Sequence, residues 1–178
     1  MEDYVFAEEP RFWRIIKLRK FRRTEGVAFD IMPMQALPKI DGIDRVIHQK
    51  RALSPGSVGD IERPWYVHTH QEDNLIVLQG KRTAEVYTLE YKRIETFTVT
   101  PEYIEHNGKV VYEGPGMVVW PCNVFHRIAT GDEGSASLNF ALRYPGFDID
   151  TAFNVYDLNT GTGEYKLLRK GSLDQYPG

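Results

Sequence analysis

A single cysteine, Cys122, stands in the 178 residues, so no intrachain disulfide can form, and a reducing, cytoplasmic setting fits best. No apolar run approaches the roughly 20 residues that cross a bilayer; runs such as Leu75–Leu78 are far shorter. The first residues carry Glu2, Asp3, Glu8 and Glu9 and have no apolar core, which excludes a secretory signal. There is no excess of positive charge either. A net charge of -3 gives no general reason to expect nucleic acid or an anionic membrane as a partner. Long 3.6-residue apolar periodicity, internal repeats and low-complexity tracts are all missing, so helical bundles and solenoids are excluded.

What remains is strand after strand. Apolar residues make up 42% and aromatics 12% of the chain, enough for one globular domain with its own core. From Gly26 onward short β-type runs alternate with turn residues: Val27–Met34, Asp44–Gln49, Arg82–Tyr91, Ile94–Val99, Lys109–Tyr112, Met117–Trp120, Phe125–Thr130 and Ser137–Arg143. His106-Asn107-Gly108 reads as a tight hairpin turn, because Asn and Gly tolerate positive φ. A closing hairpin, Ala152–Tyr156 with Glu164–Leu168, turns at 159–163. About ten short strands at close spacing define a β-sandwich or barrel. Seven Lys or Arg residues between Arg11 and Arg23 are interleaved with Phe12, Trp13, Ile15, Ile16, Leu18 and Phe21. This run reads as an edge strand or short helix whose cations lie along an apolar body. The chain divides into an N-terminal arm or edge segment (1–24), a barrel (25–170) and a C-terminal tail (171–178).

The organising stretch runs from Pro64 to Gly80. On a strand, residues two apart share a face, so His68 and His70 should emerge side by side, with Tyr66 on the same face. An acidic turn follows with Glu72, Asp73 and Asn74, then Leu75–Leu78 as a short buried strand that Gly80 ends. A second stretch, Gly114 to His126, repeats the grammar: a Gly-rich turn, an apolar strand, a turn marked by Pro121 and Asn123, and His126 opening the next strand. Three imidazoles and a carboxylate offer the donors that Zn, Fe, Mn, Ni or Cu accept, and leave coordination positions open. His48 and His106 are read as ordinary structural residues, and Cys122 as a small buried thiol. Trp65 and Trp120 are read as core. An inward-facing Arg82 or Arg143 would signal an anionic substrate.

The two stretches resemble the paired motifs of the cupin superfamily. His68-Thr69-His70 and Gly80 match the first, His-x-His followed by Glu and Gly. Pro121, Asn123 in the place of Gly, and His126 match the second. The family's Glu is replaced: counting back from Gly80 gives Asp73, counting forward from His70 gives Asn74, and Glu72 adjoins both. Thr130 stands where the second motif ends in Asn. The resemblance covers about residues 64–145. It implies an all-β, double-stranded β-helix (an RmlC-like jelly-roll barrel) with extra N-terminal strands and a C-terminal hairpin.

It further implies one divalent transition-metal ion on His68, His70, Asp73 and His126. A small-molecule substrate would sit in the barrel mouth, with Tyr66 a candidate catalytic donor and dioxygenase-like, isomerase or lyase chemistry at the metal. The absent Glu keeps a second reading open, a nucleotide-sugar isomerase or epimerase that uses His and Tyr as acid and base without an essential metal. A third is a non-catalytic ligand-binding cupin. Pairing through outer strands, with the closing hairpin a candidate contact, would give a homodimer.

Overall fold

The structure, a computed structural model, describes residues 3–176. Its strands are β1 (Val5–Glu9), β2 (Trp13–Lys17), β3 (Arg19–Thr24), β4 (Val27–Ile31), β5 (Gly42–His48), β6 (Leu53–Ser54), β7 (Trp65–Val67) and β8 (Gln71–Tyr87). They continue with β9 (Ile94–Val99), β10 (Tyr103–His106), β11 (Lys109–Glu113), β12 (Gly116–Trp120), β13 (Phe125–Arg143), β14 (Val155–Leu158) and β15 (Tyr165–Arg169). One short helix, α1 (Ile149–Ala152), precedes β14. Thirteen strands form one hydrogen-bonded network, and β3 and β4 make a separate ribbon. No helix among the described residues is long and apolar enough to cross a membrane.

Two long strands set the architecture. β8 and β13 run antiparallel along their whole length, from Phe125 opposite Tyr87 to Arg143 opposite Gln71. Both bend midway, where the register shifts between Thr130 and Ser135. Gly80 does not end its strand, as the sequence suggested, but lies within it at φ +69°, facing Gly134 at the same angle. A Cβ on Gly80 would lie 2.2 Å from the Gly134 carbonyl oxygen, so only glycine fits the crossing. The bend carries each strand from one sheet into the other. Before it, β8 pairs with β12; after it, β8 pairs with β9. The far edge of β13 takes β7 and β6 before its own bend and β5 after it. The result is the expected all-β jelly-roll.

Packing explains the residue pattern. The barrel interior holds Phe12, Ile15, Leu75, Val77, Val86, Phe97, Val118 and Trp120 among others. A second apolar layer forms on the outer face of the same sheet, where Ala36 and Leu37 cover Ile16, Ile76, Met117, Val119 and Leu142. β12 is covered on both sides, which is why Met117–Trp120 reads as an unbroken apolar run. Residues 3–24 include the edge of the sheet, where β1 and β2 end the strand order; β2 pairs with β12, Phe12, Ile15 and Ile16 are fully buried, and the 24/25 division falls inside the β3–β4 hairpin. Of the tail, Gly171–Asp174 form a 3-10 turn tied back by a Gly171 N–H that donates to Asn154 Oδ1 (2.8 Å).

Candidate active site

β7 is only three residues long, and the chain bends directly after it. His68 and His70 therefore do not share a face as a strand would require. The main chain is pinned at both residues: Asn123 N–H donates to the His68 carbonyl (2.8 Å) and Tyr144 N–H to that of His70 (2.9 Å). His68 turns inward and is 4% exposed. His70 turns out to solvent, its Nδ1 against Thr69 Oγ1 at 2.9 Å, and it takes no part in the cluster. This corrects the expectation of three convergent imidazoles: the structure brings together two, with a carboxylate.

That carboxylate is Asp73. Along the first half of β8, Gln71, Asp73 and Leu75 face the interior, while Glu72 pairs outward with Arg14 (3.0 Å) and Asn74 Nδ2 donates to the Phe140 carbonyl (2.9 Å). The alternation thus selects Asp73 over its two neighbours. Its Oδ1 accepts from Gln71 Nε2 and Asn139 Nδ2, both at 2.9 Å, and its Oδ2 accepts from Trp120 Nε1 at 3.0 Å. His68 Nε2 lies 3.3 Å and His126 Nε2 3.7 Å from the same Oδ2. On the far side of each ring, Nδ1 meets a main-chain carbonyl: Ala152 O for His68, and Val124 O at 3.2 Å for His126. Those carbonyls accept a proton and never give one, so both Nδ1 atoms are N–H donors and both Nε2 atoms face Asp73. Tyr66, cross-strand from His126, completes the group; its ring centroid is 6.4 Å from that of His68 and 5.9 Å from that of His126.

Burial and charge set the protonation states. Burial alone would raise Asp73, but His68, then His126 and Asn139, hold it well below the usual carboxylate range. Burial opposes the charge on His68, and Asp73 reverses this, so His68 sits above its ordinary value as the cation of a buried pair. His126 is pushed down to about 4 by burial and then by the charge on His68, and is neutral at neutral pH. Burial raises the Tyr66 phenol, which stays protonated.

These groups line a cavity of about 200 Å³ inside the barrel. Larger hollows of about 920 and 520 Å³ lie away from it and contain none of these residues, whereas one of about 550 Å³ adjoins it and shares Ser54 and Tyr66. Several lining residues were not picked out in the sequence: Trp120 donates to Asp73 rather than serving only as core, and Gln71, Asn139 and Phe153 also contribute. His48, read as structural, faces the cavity with Asp44 and Val46. Alternation along β5 carries the signal, but with the polar residues inward. Arg82 faces inward too and is 3% exposed, whereas Arg143 lies over the Phe147 ring, 4.3 Å from its centroid. His106 is structural as expected, bonded to Glu95 (2.7 Å) and stacked on Phe97. Cys122 lies outside the cavity, its thiol pushed up to about 11 by burial and by Glu72.

A bent pair of long strands closing two sheets around an inward His–Asp–His group defines a jelly-roll barrel with an internal site. No family model and no curated protein matches the chain. Solved structures do. QdtA, a sugar 3,4-ketoisomerase from Thermoanaerobacterium thermosaccharolyticum in complex with TDP, superposes with a TM-score of 0.54 at 14% identity, over 79% of this chain and 85% of that one. WlaRB, a TDP-quinovose 3,4-ketoisomerase from Campylobacter jejuni, gives 0.53 at 14%, over 76% and 87%. The RmlC epimerase of Mycobacterium tuberculosis gives 0.55 at 7%, over 79% and 68%. The chain has the RmlC-like jelly-roll fold.

Proposed function

We propose that this jelly-roll protein is an isomerase or epimerase that moves a proton at a carbon next to a carbonyl, by acid–base catalysis inside the barrel. The observation that carries the reading is the neutral His126, whose Nε2 lone pair faces the same cavity as the buried His68–Asp73 pair and the Tyr66 phenol. His126 Nε2 accepts the proton from the substrate carbon. The bonding pair moves into the carbonyl, giving an enolate whose oxygen is stabilised by the adjacent His68 cation. For isomerisation, Tyr66 protonates the enolate oxygen to give an enediol. The hydroxyl on the first carbon returns a proton to the Tyr66 phenolate as its own carbonyl forms, and protonated His126 delivers its proton to the former carbonyl carbon. For epimerisation, Tyr66 protonates the first carbon on its other face and His126 returns its proton to the phenolate. The structural neighbours named for sugar isomerisation and epimerisation support a carbonyl-bearing sugar as substrate.

A second reading rests on one specific observation. His68 Nε2, Asp73 Oδ2 and His126 Nε2 lie within 4.8 Å of one another, and both Nδ1 atoms are already committed to carbonyls. Two imidazoles and one carboxylate with fixed tautomers fit a divalent transition metal. These three residues, without His70, would hold it, and it would supply Lewis-acid polarisation of a substrate oxygen.

The test is solvent exchange. Chelator-treated protein is incubated in deuterated water with TDP-4-keto-6-deoxyglucose, the ligand named with the T. thermosaccharolyticum enzyme. Deuterium should enter next to the carbonyl, and His126→Asn and Tyr66→Phe should abolish it. Exchange that appears only after a divalent ion is added supports the second reading, and no exchange in either condition contradicts both.

A further inference from the structure

The cavity has two electrically different ends. At one lie Asp73, His68 and His126, with Asp44, whose charge is felt at His68. Toward the other lies Arg82, on β8 just past the bend at Gly80. Its Nε donates to Ser135 Oγ (3.0 Å) and its Nη2 to the Val46 carbonyl (3.1 Å). Both acceptors are neutral. No carboxylate among the described residues pairs with it, and burial, with no acid to offset it, pulls its pKa down to about 10. None of the chain's other Lys and Arg residues is buried; an Arg buried without a counter-charge is costly unless something supplies one.

A second group points the same way. His48 lines the same wall, and its Nδ1 is buried with no hydrogen-bond partner. Burial and then the Arg82 charge push His48 down to about 4, so it is neutral and offers a donor without adding charge. The wall therefore presents one permanent cation and one neutral ring nitrogen. That suits a monoanion with two oxygens in a plane, the shape a guanidinium fork binds. A dianionic phosphate would need a second cation. Size gives a further limit. About 200 Å³ equals the share of about seven waters at ~30 Å³ each, room inside the barrel for a six-carbon sugar unit.

We propose that the unit bound inside the barrel is a sugar acid or similar small hydroxylated carboxylic acid, with its carboxylate on Arg82 and His48 and its reacting carbon at the Tyr66–His68–His126 end. This rests on the reading that the cavity is the substrate site, and it assigns the class of substrate.

Isothermal titration of the full chain with D-glucuronate, D-gluconate, D-glucose and inorganic phosphate tests it. At least one of the two acids should bind, at least tenfold more tightly than D-glucose or phosphate. Arg82→Met should weaken acid binding by about tenfold or more, the scale of a charge-assisted hydrogen bond. Arg82→Lys keeps the charge but loses the fork, and should weaken it severalfold; it decides the matter if the methionine variant does not fold. The proposal is overturned if neither acid binds, if D-glucose or phosphate binds as tightly, or if both variants bind the acids as the wild type does. None of these outcomes bears on proton transfer, which the deuterium exchange with a carboxylate-free keto-sugar reads separately.

Discussion

Replacing Asp73 by Asn keeps the shape of the side chain and removes its charge. In the native site Asp73 takes two amide donors on Oδ1, and the Trp120 indole and His68 on Oδ2. An Asn side chain can keep the two amide bonds on its oxygen, but its NH₂ then faces the Trp120 N–H, donor against donor. His68 loses its counter-charge and must give up its proton. Breaking a buried ion pair from one side costs about 3–5 kcal/mol. An unsatisfied buried indole, by itself about 1–3 kcal/mol, lies within that figure. For a domain of this size each kcal/mol moves Tm by about 2–4 °C, so a fall of about 10 °C is expected.

The pH dependence carries a sign. Asp73 is depressed in the fold, so its share of stability is present above the unfolded carboxylate value of about 3.9 and is lost as pH falls below it. His68 is raised, so its share is full below about 6.5 and is lost as pH rises through the folded value. Asp73→Asn should therefore cost most between about pH 4 and 6.5. Urea denaturation followed by circular dichroism across that range measures it. A variant within about 1 kcal/mol of wild type at pH 6 would refute the buried pair.

Other substitutions separate the remaining parts of the account. Gly80→Ala forces a Cβ against the Gly134 carbonyl at positive φ and should cost about 3 kcal/mol or more, read as a lowered urea midpoint. His70→Ala should leave stability within about 0.5 kcal/mol, and deuterium exchange unchanged, because its ring lies outside the cavity. Folded-state His48 stays neutral down to about 4 while the unfolded chain protonates near 6.5, so its share of stability is lost as pH falls through that interval. His48→Gln should flatten that part of the urea-midpoint profile.

The jelly-roll was legible because its signal is local: short alternating runs, turn residues, and two motifs in order. The bends were not. Gly80 looks like a strand end, and only the long-range pairing of β8 with β13 reveals a continuous strand that crosses between sheets. His68 was legible by motif and His126 by its place after the Pro121 turn, while the motif left Asp73, Asn74 and Glu72 open, and only the facing of β8 chooses Asp73. His70 failed because period-two reasoning needs an unbroken strand, and β7 stops at Val67. β5 misleads in the opposite sense: Ile43 and Ile47 are 60% and 52% exposed while Asp44 and His48 face inward, the reverse of an apolar-in rule. Arg82 could be named as informative from its strand position, but its direction depends on the bend two residues earlier.

The central claim is that His68 and His126 converge on Asp73 inside the barrel, in different protonation states. Long-range proton–nitrogen NMR of the imidazoles at pH 7 tests this directly. The account predicts a doubly protonated His68 and a neutral His126 carrying its proton on Nδ1, with neither ring titrating near 6.5. Two rings titrating together near 6.5, or a neutral His126 protonated on Nε2, would contradict it.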